Sequence, residues 1–309
     1  MTSDSRIKVI VNPAAGNGCP PKKWHKIDKL LATNLGKTSI EFTTQPGDAT
    51  EFARAALKQG FNSIVAMGGD GTINEVVNGF FEDGCVINPA ACLGIIPTGT
   101  GSDLKRTLEL PADIGAAVQR IAAGASRRCD AGILTCQTLD NQPTQRYFIN
   151  IADAGFGGAL TDRLDYSKMV PGHFFTYLGG LLKTLLRYQN QPMKVEIDGA
   201  LVTDQILNSV VVANGQFFGG GMRIAPEARM DDGLFDVIVI GDISRWEVIA
   251  NIPKLYSGKL ADHPKVRTFR AKNVRLSTNE EILIDADGEL PGKLPATFEI
   301  LPGKLNIII

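Results

Sequence analysis

The chain has 309 residues, of which 44% are hydrophobic and 21% charged, and its formal net charge at pH 7 is −1. This length and apolar content exclude a disordered chain and predict about two domains. The balanced charge disfavours a nucleic-acid partner bound through overall positive charge, and no apolar stretch is long enough to cross a bilayer.

The N-terminal part of the chain begins with the polar segment MTSDSR, which predicts no signal peptide. Beyond it, residues 1–130 alternate between strand and helix patterns. The strand patterns are IKVIVNP, TSIEFTT, NSIVAMGG and CLGIIP, and the helix patterns are KKWHKIDKLLATNL, GDATEFARAALKQG, TINEVVNGFFE and ADIGAAVQRIAAG. Repeated strand–helix units predict an α/β domain with a parallel, Rossmann-like sheet.

The pattern changes after about residue 127. The segments RYFINIADAGFG, MKVEIDG, ALVTDQILNSVVVAN, LFDVIVIG, NVRLST and EILIDADGEL predict strands, and Asp198-Gly199 predicts a hairpin turn. Two helical segments interrupt them, HFFTYLGGLLKTLLRYQ and SRWEVIANIPKLYSG. We predict a mainly antiparallel β-sandwich over residues 131–296. The sequence leaves open whether the last strand, residues 297–309, returns to the first domain.

The segment AMGGDGTINEVVNGF places Gly68, Gly69 and Gly71 between a strand and a helix. Glycines allow positive φ and close backbone approach, and the N-terminus of the following helix favours an anion. We expect Thr72 to cap that helix. Asp70 would repel a phosphate unless a cation such as Mg²⁺ lay beside it. The simpler alternatives are a sterically required turn and an aspartate that caps the helix.

Two further loops, VNPAAGNG and IPTGTGSD, follow predicted strands. Ligands of open α/β sheets bind at the carboxyl edge of the strands, so the three loops together predict a nucleotide site. Neither GxxxxGK[ST] nor GxGxxG is present, which disfavours a P-loop protein and a dinucleotide oxidoreductase.

Carboxylates are concentrated in two segments of the second half. ILIDADGEL places Asp285, Asp287 and Glu289 at alternate positions, so an extended strand would project them on one face. Such a group suits a general base or a metal site, although a solvated hairpin tip is the alternative. In APEARMDDGLFDV, Asp232 either belongs to a plain turn or binds a cation.

Five motifs occur in a fixed order: NPAAG at 12–16, GGDGT at 68–72 followed by INE, PTGTGSD at 97–103, APEARMDDGLFDV at 225–237 and DGE at 287–289. Together they resemble the diacylglycerol kinase catalytic-domain family, in its bacterial soluble lipid-kinase branch, which is similar to phosphatidylglycerol and sphingosine kinases. The resemblance runs from about residue 6 to 309. GGDGT alone also occurs in NAD kinases, and Ser102 stands where many members have asparagine.

The resemblance implies an NAD kinase/diacylglycerol kinase-like fold of two domains with the active site in the cleft between them. It implies ATP- and Mg²⁺-dependent phosphorylation of a lipid hydroxyl, on diacylglycerol, phosphatidylglycerol or a similar lipid. The positions that match ATP contacts are Asn12, Pro13, Ala14, Ala15, Gly16, Thr44, Gly69, Asp70, Gly71, Thr72, Ile73, Asn74, Glu75 and Thr100.

The resemblance also implies the catalytic and metal positions. Glu289 matches the proton acceptor, with Asp287 as the second candidate. A structural Mg²⁺ would be bound by the carbonyls of Arg229 and Leu234 and the side chain of Asp232. We expect Asp70 to organise the catalytic Mg²⁺, with Asp103 in support.

Alternative functions are an NAD kinase and a non-catalytic nucleotide- or lipid-binding regulator. For a lipid kinase we expect a cytoplasmic protein, peripheral to the inner membrane face, without a nucleic-acid partner and with a homodimer as one possibility. The helix at 174–187 either contacts the membrane or packs in the core.

Overall fold

The structure is a computed structural model that describes residues 6–16, 18, 21–99, 103–163 and 173–309. Thr100, a predicted ATP contact, lies outside the described residues, and so does Ser102. The chain divides into two compact units, one formed by Met1–Asp130 with Gly303–Ile309 and the other by Ala131–Pro302.

The first unit alternates strands and helices, as predicted from the sequence. Its strands are β1 (Ile7–Val11), β2 (Thr38–Phe42), β3 (Ser63–Gly68), β4 (Phe81–Glu82), β5 (Cys85–Val86) and β6 (Cys92–Pro97). Its helices are α1 (Pro21–Leu35), α2 (Asp48–Lys58), α3 (Asp70–Gly79), α4 (Asp103–Thr107) and α5 (Ile114–Ala123). The predicted helix TINEVVNGFFE is shorter than expected, because Phe81 and Glu82 pair with β5 in a small hairpin.

The strands of this unit form a parallel sheet in the order β2–β1–β3–β6. One more strand continues it, because Asn306 and Ile307 pair in parallel with Cys92 and Leu93 of β6. One core cluster joins the sheet residues Val9, Val65 and Ile96 to apolar residues of α1 and α5. The sheet's carboxyl edge is therefore held by a buried apolar layer, and loops that follow β1, β3 and β6 meet at that edge.

The second unit is built mainly from antiparallel strands. Two strands have residues in both units, β7 (Ser126–Gln137) and β17 (Glu289–Ile308). The others are β8 (Pro143–Phe148), β9 (Ile151–Gly155), β10 (Gln191–Ile197), β11 (Ala200–Leu207), β12 (Ser209–Ala213), β13 (Phe235–Ile240), β14 (Val266–Ala271), β15 (Asn273–Ser277) and β16 (Leu283–Ala286). The helices are α6 (Phe156–Arg163), α7 (His173–Arg187) and α8 (Arg245–Ser257).

Strand pairing in the second unit is antiparallel along the path β14–β13–β12–β9–β16–β17. A branch β11–β10–β15 also pairs with β17, and β7 pairs with β8. The predicted hairpin at Asp198-Gly199 is confirmed, since both residues have positive φ and connect β10 to β11. Together with the parallel sheet of the first unit, this confirms the predicted fold class.

Three phenylalanines fill the core of the second unit. The Phe148 ring stacks on Phe235, with centroids 5.6 Å apart, and meets Phe298 edge-on at 6.3 Å. Gly132 lies opposite Phe148 in the β7–β8 pair, and a Cβ at Gly132 would lie 2.2 Å from the Phe148 ring. A glycine at this position therefore makes room for the ring that joins the core.

No helix in the described ranges combines the length and apolar character needed to span a bilayer.

We expect Gly132→Ala to destabilise the protein by about 1–3 kcal/mol, because the new methyl group overlaps the Phe148 ring. In a Phe148→Leu background, Gly132→Ala should destabilise the protein less, because the smaller leucine side chain leaves room for the new methyl group. Urea unfolding of the wild type, both single variants and the double variant measures the coupling. Additive effects of the two substitutions would contradict this contact.

Candidate active site

The three loops predicted to form a nucleotide site are joined by backbone hydrogen bonds. The N–H of Asn12, directly after β1, donates to the Met67 carbonyl in β3 at 2.9 Å. The N–H groups of Thr98 and Gly99, after β6, both donate to the Gly68 carbonyl, at 2.9 and 3.3 Å. These loops therefore lie together at one edge of the parallel sheet.

The glycines of these loops are needed first for contacts within the chain. A Cβ at Gly99 would lie 2.5 Å from the Gly69 Cα, and one at Gly16 would lie 2.2 Å from the Thr98 carbonyl oxygen. A Cβ at Gly68 would lie 2.4 Å from the Thr72 side chain. Gly69 is different, because a Cβ there would meet nothing closer than 3.5 Å.

The GGDGT glycines do not use the positive φ that glycine allows. Gly68 is the last residue of β3, Gly69 has φ −91°, and Gly71 lies within α3. Positive φ occurs in the first loop instead, at Gly16 with φ +64° and Gly18 with φ +77°. Within the GGDGT turn, Gly68 is needed for the close approach of the Thr72 side chain, which is a steric requirement without a left-handed backbone.

The start of α3 also differs from expectation. Gly69 is the N-cap, with no side-chain capping bond, and Thr72 lies buried in the first turn. The Thr72 hydroxyl accepts a hydrogen bond from Asn12 Nδ2 at 2.9 Å, so the prediction that Thr72 caps the helix is wrong. The first N–H groups of α3 thus have no side-chain cap, a situation that favours an anion.

Two aspartates of the predicted site are brought together. Asp70 Oδ2 accepts the backbone N–H of Asp103 at 3.1 Å, and Asp103 Oδ1 accepts from Arg106 Nη1 at 2.8 Å. Asp103 is buried and Asp70 half-buried. Carboxylate oxygens are the ligands that Mg²⁺ prefers, so this pair fits a magnesium ion by its chemistry.

Thr44 and Glu75 are both engaged with α2. The Thr44 N–H and hydroxyl donate to Asp48 Oδ2 at 2.7 and 2.8 Å, and the backbone hydrogen bond from Thr44 is the main reason that the pKa of Asp48 is lowered. Glu75 Oε2 accepts the Ala49 N–H at 3.1 Å. Glu75 therefore supplies a negative charge to the N-terminus of α2, a role that sequence analysis missed.

The remaining predicted ATP contacts differ in how much surface they offer. Pro13, Ala14 and Ala15 form a turn in which the Asn12 side chain accepts the Ala14 N–H at 3.0 Å. Ile73 and Asn74 are buried in α3. Their side chains face the interior, so a nucleotide contact there would have to use the backbone.

In the second unit, the DGE motif is a tight hairpin turn. Asp287 and Gly288 have φ +53° and +87°, and Ala286 pairs with Glu289 across the turn. The expectation that Asp285, Asp287 and Glu289 lie along one extended strand is therefore wrong. The Asp-Gly pair favours such a two-residue turn, as it does at Asp198-Gly199.

The turn separates the roles of its two acidic residues. The Asp287 carboxylate accepts three backbone N–H bonds, from Ile149 at 2.8 Å, Asn150 at 3.0 Å and Ile151 at 2.9 Å. Glu289 forms an ion pair with Arg146 at 2.6 Å, and each of these side chains is 35% exposed. Asp287 thus ties β16 to the β8–β9 connection, while the Glu289 carboxylate is held by a guanidinium near the surface.

Asp285, which is half-buried, faces a buried carboxylate that the sequence did not single out. It lies opposite Asp153 in the β16–β9 pair and accepts the Thr161 hydroxyl at 2.7 Å. The pKa of Asp153 and that of Asp285 are both raised to about 7, mainly by burial and, for Asp153, also by the charge of Asp285. Asp153 lies in the apolar strand IADAG, and Arg146 lies in PTQRYF. Neither local sequence pattern indicates a functional role for these residues.

The DDG segment forms a turn in which Asp232 is already paired. Its Oδ1 accepts the Leu234 N–H at 3.1 Å, and its Oδ2 accepts from the Arg270 guanidinium. Arg229 points its side chain to Asp231 at 3.4 Å. Because Arg270 supplies the positive charge here, the Asp232 side chain as placed does not fit a cation.

No group of three or more His, Cys, Asp or Glu side chains suited to a metal occurs in the part of the chain that the structure describes. A ligand set of Arg229, Asp232 and Leu234 would use two carbonyls and a single carboxylate, and it stays a prediction.

Comparison with known proteins identifies the family. The sequence model described as "Diacylglycerol kinase catalytic domain" matches residues 6–134, and "YegS C-terminal NAD kinase beta sandwich-like domain" matches residues 150–309. Curated relatives named "Diacylglycerol kinase" include one from Staphylococcus carnosus (strain TM300), 33% identical over 98% of this chain and 94% of the relative. Another, from Bacillus subtilis (strain 168), is 31% identical over 98% and 96%.

Solved structures agree with these matches. A putative diacylglycerol kinase from Bacillus anthracis str. Sterne is 27% identical and has a TM-score of 0.78, covering 100% of this chain and 98% of that chain. A second structure from the same organism has a TM-score of 0.76 at 26% identity. The chain belongs to the diacylglycerol kinase family, and it is a lipid kinase that uses ATP.

Gly99→Ala tests the role of glycine in packing the loops together, and Gly69→Ala tests its role in leaving space for a phosphate. Gly99→Ala should destabilise the protein by about 1–3 kcal/mol, because its Cβ overlaps the Gly69 backbone. Gly69→Ala should change stability by no more than about 1 kcal/mol and still weaken ATP binding about tenfold, since it blocks a predicted phosphate contact. Calorimetric ATP titration and thermal unfolding measure both quantities.

Gly179→Ala is the control for these variants, because a Cβ at this position in α7 meets nothing within 4 Å. Unchanged ATP affinity in Gly69→Ala would place the phosphates away from this turn.

The raised pKa of Asp153 predicts a pH-dependent stability. Its pKa is about 7 in the folded protein and 3.8 in the reference state, so the folded chain binds more protons between these pH values. The free energy of unfolding contributed by this group therefore falls as pH rises through that range. The Asp153→Asn variant has no carboxyl group to titrate at this position. The free energy of unfolding of this variant, relative to that of the wild type, should therefore increase by at least about 1 kcal/mol between pH 4.5 and pH 7.5.

Urea unfolding of the wild type and Asp153→Asn at both pH values tests this. Glu281→Gln, which removes an exposed carboxylate, serves as the control. The same difference between Asp153→Asn and the wild type at the two pH values would show that Asp153 is not held protonated.

Proposed function

We propose that the protein transfers the γ-phosphoryl group of Mg²⁺-ATP to the free hydroxyl of diacylglycerol. The observation that carries this proposal is the full-length match to curated diacylglycerol kinases, at 33% identity over 98% of the chain. The two regions described above supply the residue types that phosphoryl transfer to an alcohol requires. These are a phosphate-binding loop with magnesium ligands and a carboxylate proton acceptor.

The first unit binds ATP through its three joined loops. The N-cap of α3 is Gly69, which offers no side-chain cap and leaves space for a ligand atom beside the N-terminus of the helix. The Asn12 side chain holds the first loop to this turn through Thr72. The loops therefore position the phosphates by backbone contacts, which need little side-chain rearrangement.

Asp70 and Asp103 are the residues that would hold the Mg²⁺ ion in this unit. The ion, when bound, neutralises negative charge that develops on the transferred phosphoryl group. The hydrogen bond from the Asp103 N–H orients the Asp70 carboxylate, and Arg106 orients that of Asp103. These contacts hold both carboxylates ready for an ion, so that few side-chain rotamers must be fixed on binding.

Glu289 accepts the proton of the lipid hydroxyl. Asp287 is less suited to this role, since its carboxylate already accepts three backbone N–H bonds that define the turn. The Arg146 guanidinium, at 2.6 Å, orients the Glu289 carboxylate through a charge-assisted hydrogen bond. Arg146 is thus a positioning residue, and Asp287 positions Glu289 through the turn.

Glu289→Gln should lower kcat by about 10²–10⁴-fold with little change in KM for ATP, because the amide keeps the shape and loses the base. Asp287→Asn should instead cost about 1–3 kcal/mol of stability, since its amide group would face a backbone N–H. Arg146→Met should lower kcat less than Glu289→Gln, because it removes only the orientation of the base.

The assay follows label from γ-labelled ATP into lipid with Mg²⁺ present, and Glu281→Gln is the matched control, an exposed glutamate paired with Lys293 in the same unit. Diacylglycerol, phosphatidylglycerol, monoacylglycerol, a sphingoid base and NAD are offered separately. Label in a different acceptor would show that this acceptor, and not diacylglycerol, is the substrate. Near-native turnover of Glu289→Gln would show that Glu289 is not the base.

A further inference from the structure

Helix α8 presents apolar side chains to solvent along one side. Trp246, Ile249, Ala250, Pro253 and Tyr256 recur at helical spacing, and all five are exposed. We call these five residues the α8 stripe. Trp246 is 72% exposed, and Ile249 and Tyr256 are 36% and 40% exposed. An apolar stripe at this spacing ordinarily faces the protein core.

The core-facing side of α8 is supplied by other residues. Leu255 packs against the cluster that contains Ile238, and Ile252 packs against the cluster of Leu160 and Leu181. The helix is therefore apolar on two sides, of which only one is needed for packing within the second unit. The exposure of the α8 stripe is a feature to be explained by a contact outside the described chain.

The stripe is held in a fixed position. Ser244 and Glu247 form a capping box at the start of the helix, and Gly258 ends it with φ +74°. Lys265 Nζ bonds Glu247 at 3.0 Å and ties the helix to the start of β14. A helix with both ends capped does not fray, so its outer side chains are displayed together.

Further apolar groups lie next to the start of the stripe. Arg245 Nη1 donates to the Leu186 carbonyl at 3.4 Å, which brings the end of α7 beside α8, and Leu186 is 61% exposed. Ile206, 51% exposed, lines with Trp246 a surface depression of about 500 Å³. In α7, Leu181 and Leu185 are buried and Leu186 is exposed, whereas the side chains of residues 174–178 and 182 lie outside the described part of the structure.

The two chain segments that carry the stripe and Leu186 are basic. Residues 183–187 and 242–265 carry six lysine or arginine and three acidic side chains, a net charge of +3 in a chain whose total is −1. Two of the acidic groups are engaged within the protein, Asp242 with Asn190 at 2.7 Å and Glu247 in the capping box. The third, Asp262, is exposed. An anionic surface therefore complements this region.

We propose that the α8 stripe, with Leu186 and Ile206, is the surface by which this kinase docks on an anionic lipid bilayer. Trp246, at the start of a helix lying in the interface, can place its apolar ring among the lipids and its indole N–H toward water. The neighbouring lysine and arginine side chains attract acidic headgroups. The proposal rests on the proposed function in one respect, that the acceptor is a lipid held in a membrane.

A second copy of the chain is a poorer occupant. A twofold contact through the stripe would bring the two positively charged surroundings together, and like charges across an interface oppose association. A bilayer with acidic headgroups has the opposite charge and the apolar interior that the stripe requires. Binding should accordingly weaken as salt is raised, because the electrostatic part is screened.

The test compares the full-length wild type with Trp246→Ser/Ile249→Ser. Flotation with vesicles of phosphatidylglycerol and phosphatidylcholine should show at least about tenfold weaker binding of the variant. The control is Leu139→Ser/Leu201→Ser, since these leucines are 59% and 60% exposed in other parts of the unit. All four substituted positions are exposed, so circular dichroism and thermal unfolding should be unchanged.

Activity is measured in parallel on long-chain diacylglycerol in vesicles and on a short-chain, water-soluble diacylglycerol. The phosphorylation rate of Trp246→Ser/Ile249→Ser should fall about tenfold with diacylglycerol in vesicles. With the soluble acceptor it should equal the wild-type rate. If the wild type bound vesicles but phosphorylated no acceptor, the proposed function would be contradicted, whereas the docking proposal would still be supported.

Two results would overturn the docking proposal. One is vesicle binding by the variant equal to that of the wild type. The other is a wild-type dimer in solution that the double substitution converts to a monomer while vesicle binding is kept, which would assign the stripe to a contact between copies.

Discussion

The close approach of two backbones at Gly69 and Gly99 is the constraint on which the nucleotide-binding half depends. These loops follow neighbouring strands, and a single methyl group at Gly99 would lie 2.5 Å from the Gly69 Cα. Their contact places Asp103 where its N–H reaches Asp70 at 3.1 Å. The small size of Gly99 thus allows two carboxylates that belong to different motifs to lie close together.

Acidic residues of the second unit are divided among different tasks by their surroundings. Asp287 binds three backbone N–H groups and acts as a structural element of the turn. Glu289, two residues further on, meets a guanidinium and stays partly exposed. Asp153 is buried and Asp285 opposite it is half-buried, and desolvation favours the protonated form of both carboxyl groups. Similar side chains therefore differ in protonation and partners because burial and hydrogen bonding differ.

Helix α8 shows a related division between stability and interaction. One side provides Ile252 and Leu255 to internal clusters, and the other exposes Trp246, Ile249 and Tyr256. Exposed apolar area contributes nothing to folding and favours self-association. Its presence on a firmly capped helix is understandable in a kinase whose substrate class resides in membranes, because the same area becomes favourable once it leaves water.

Local patterns in the sequence determined the fold class, most helices and strands and the order of the site motifs. Strand–helix alternation, the Asp-Gly turn at 198–199 and the helix within SRWEVIANIPKLYSG depend on neighbours a few residues apart, and they appear in the structure as expected. The tertiary structure decided what lies across a loop or sheet. It formed the hydrogen bonds between Asn12 and Thr72 and between Arg146 and Glu289, and it placed Asp153 opposite Asp285. The residues of these pairs are separated by 60 to 143 positions in the sequence. Such pairs arise from strand order and register, which no local periodicity encodes.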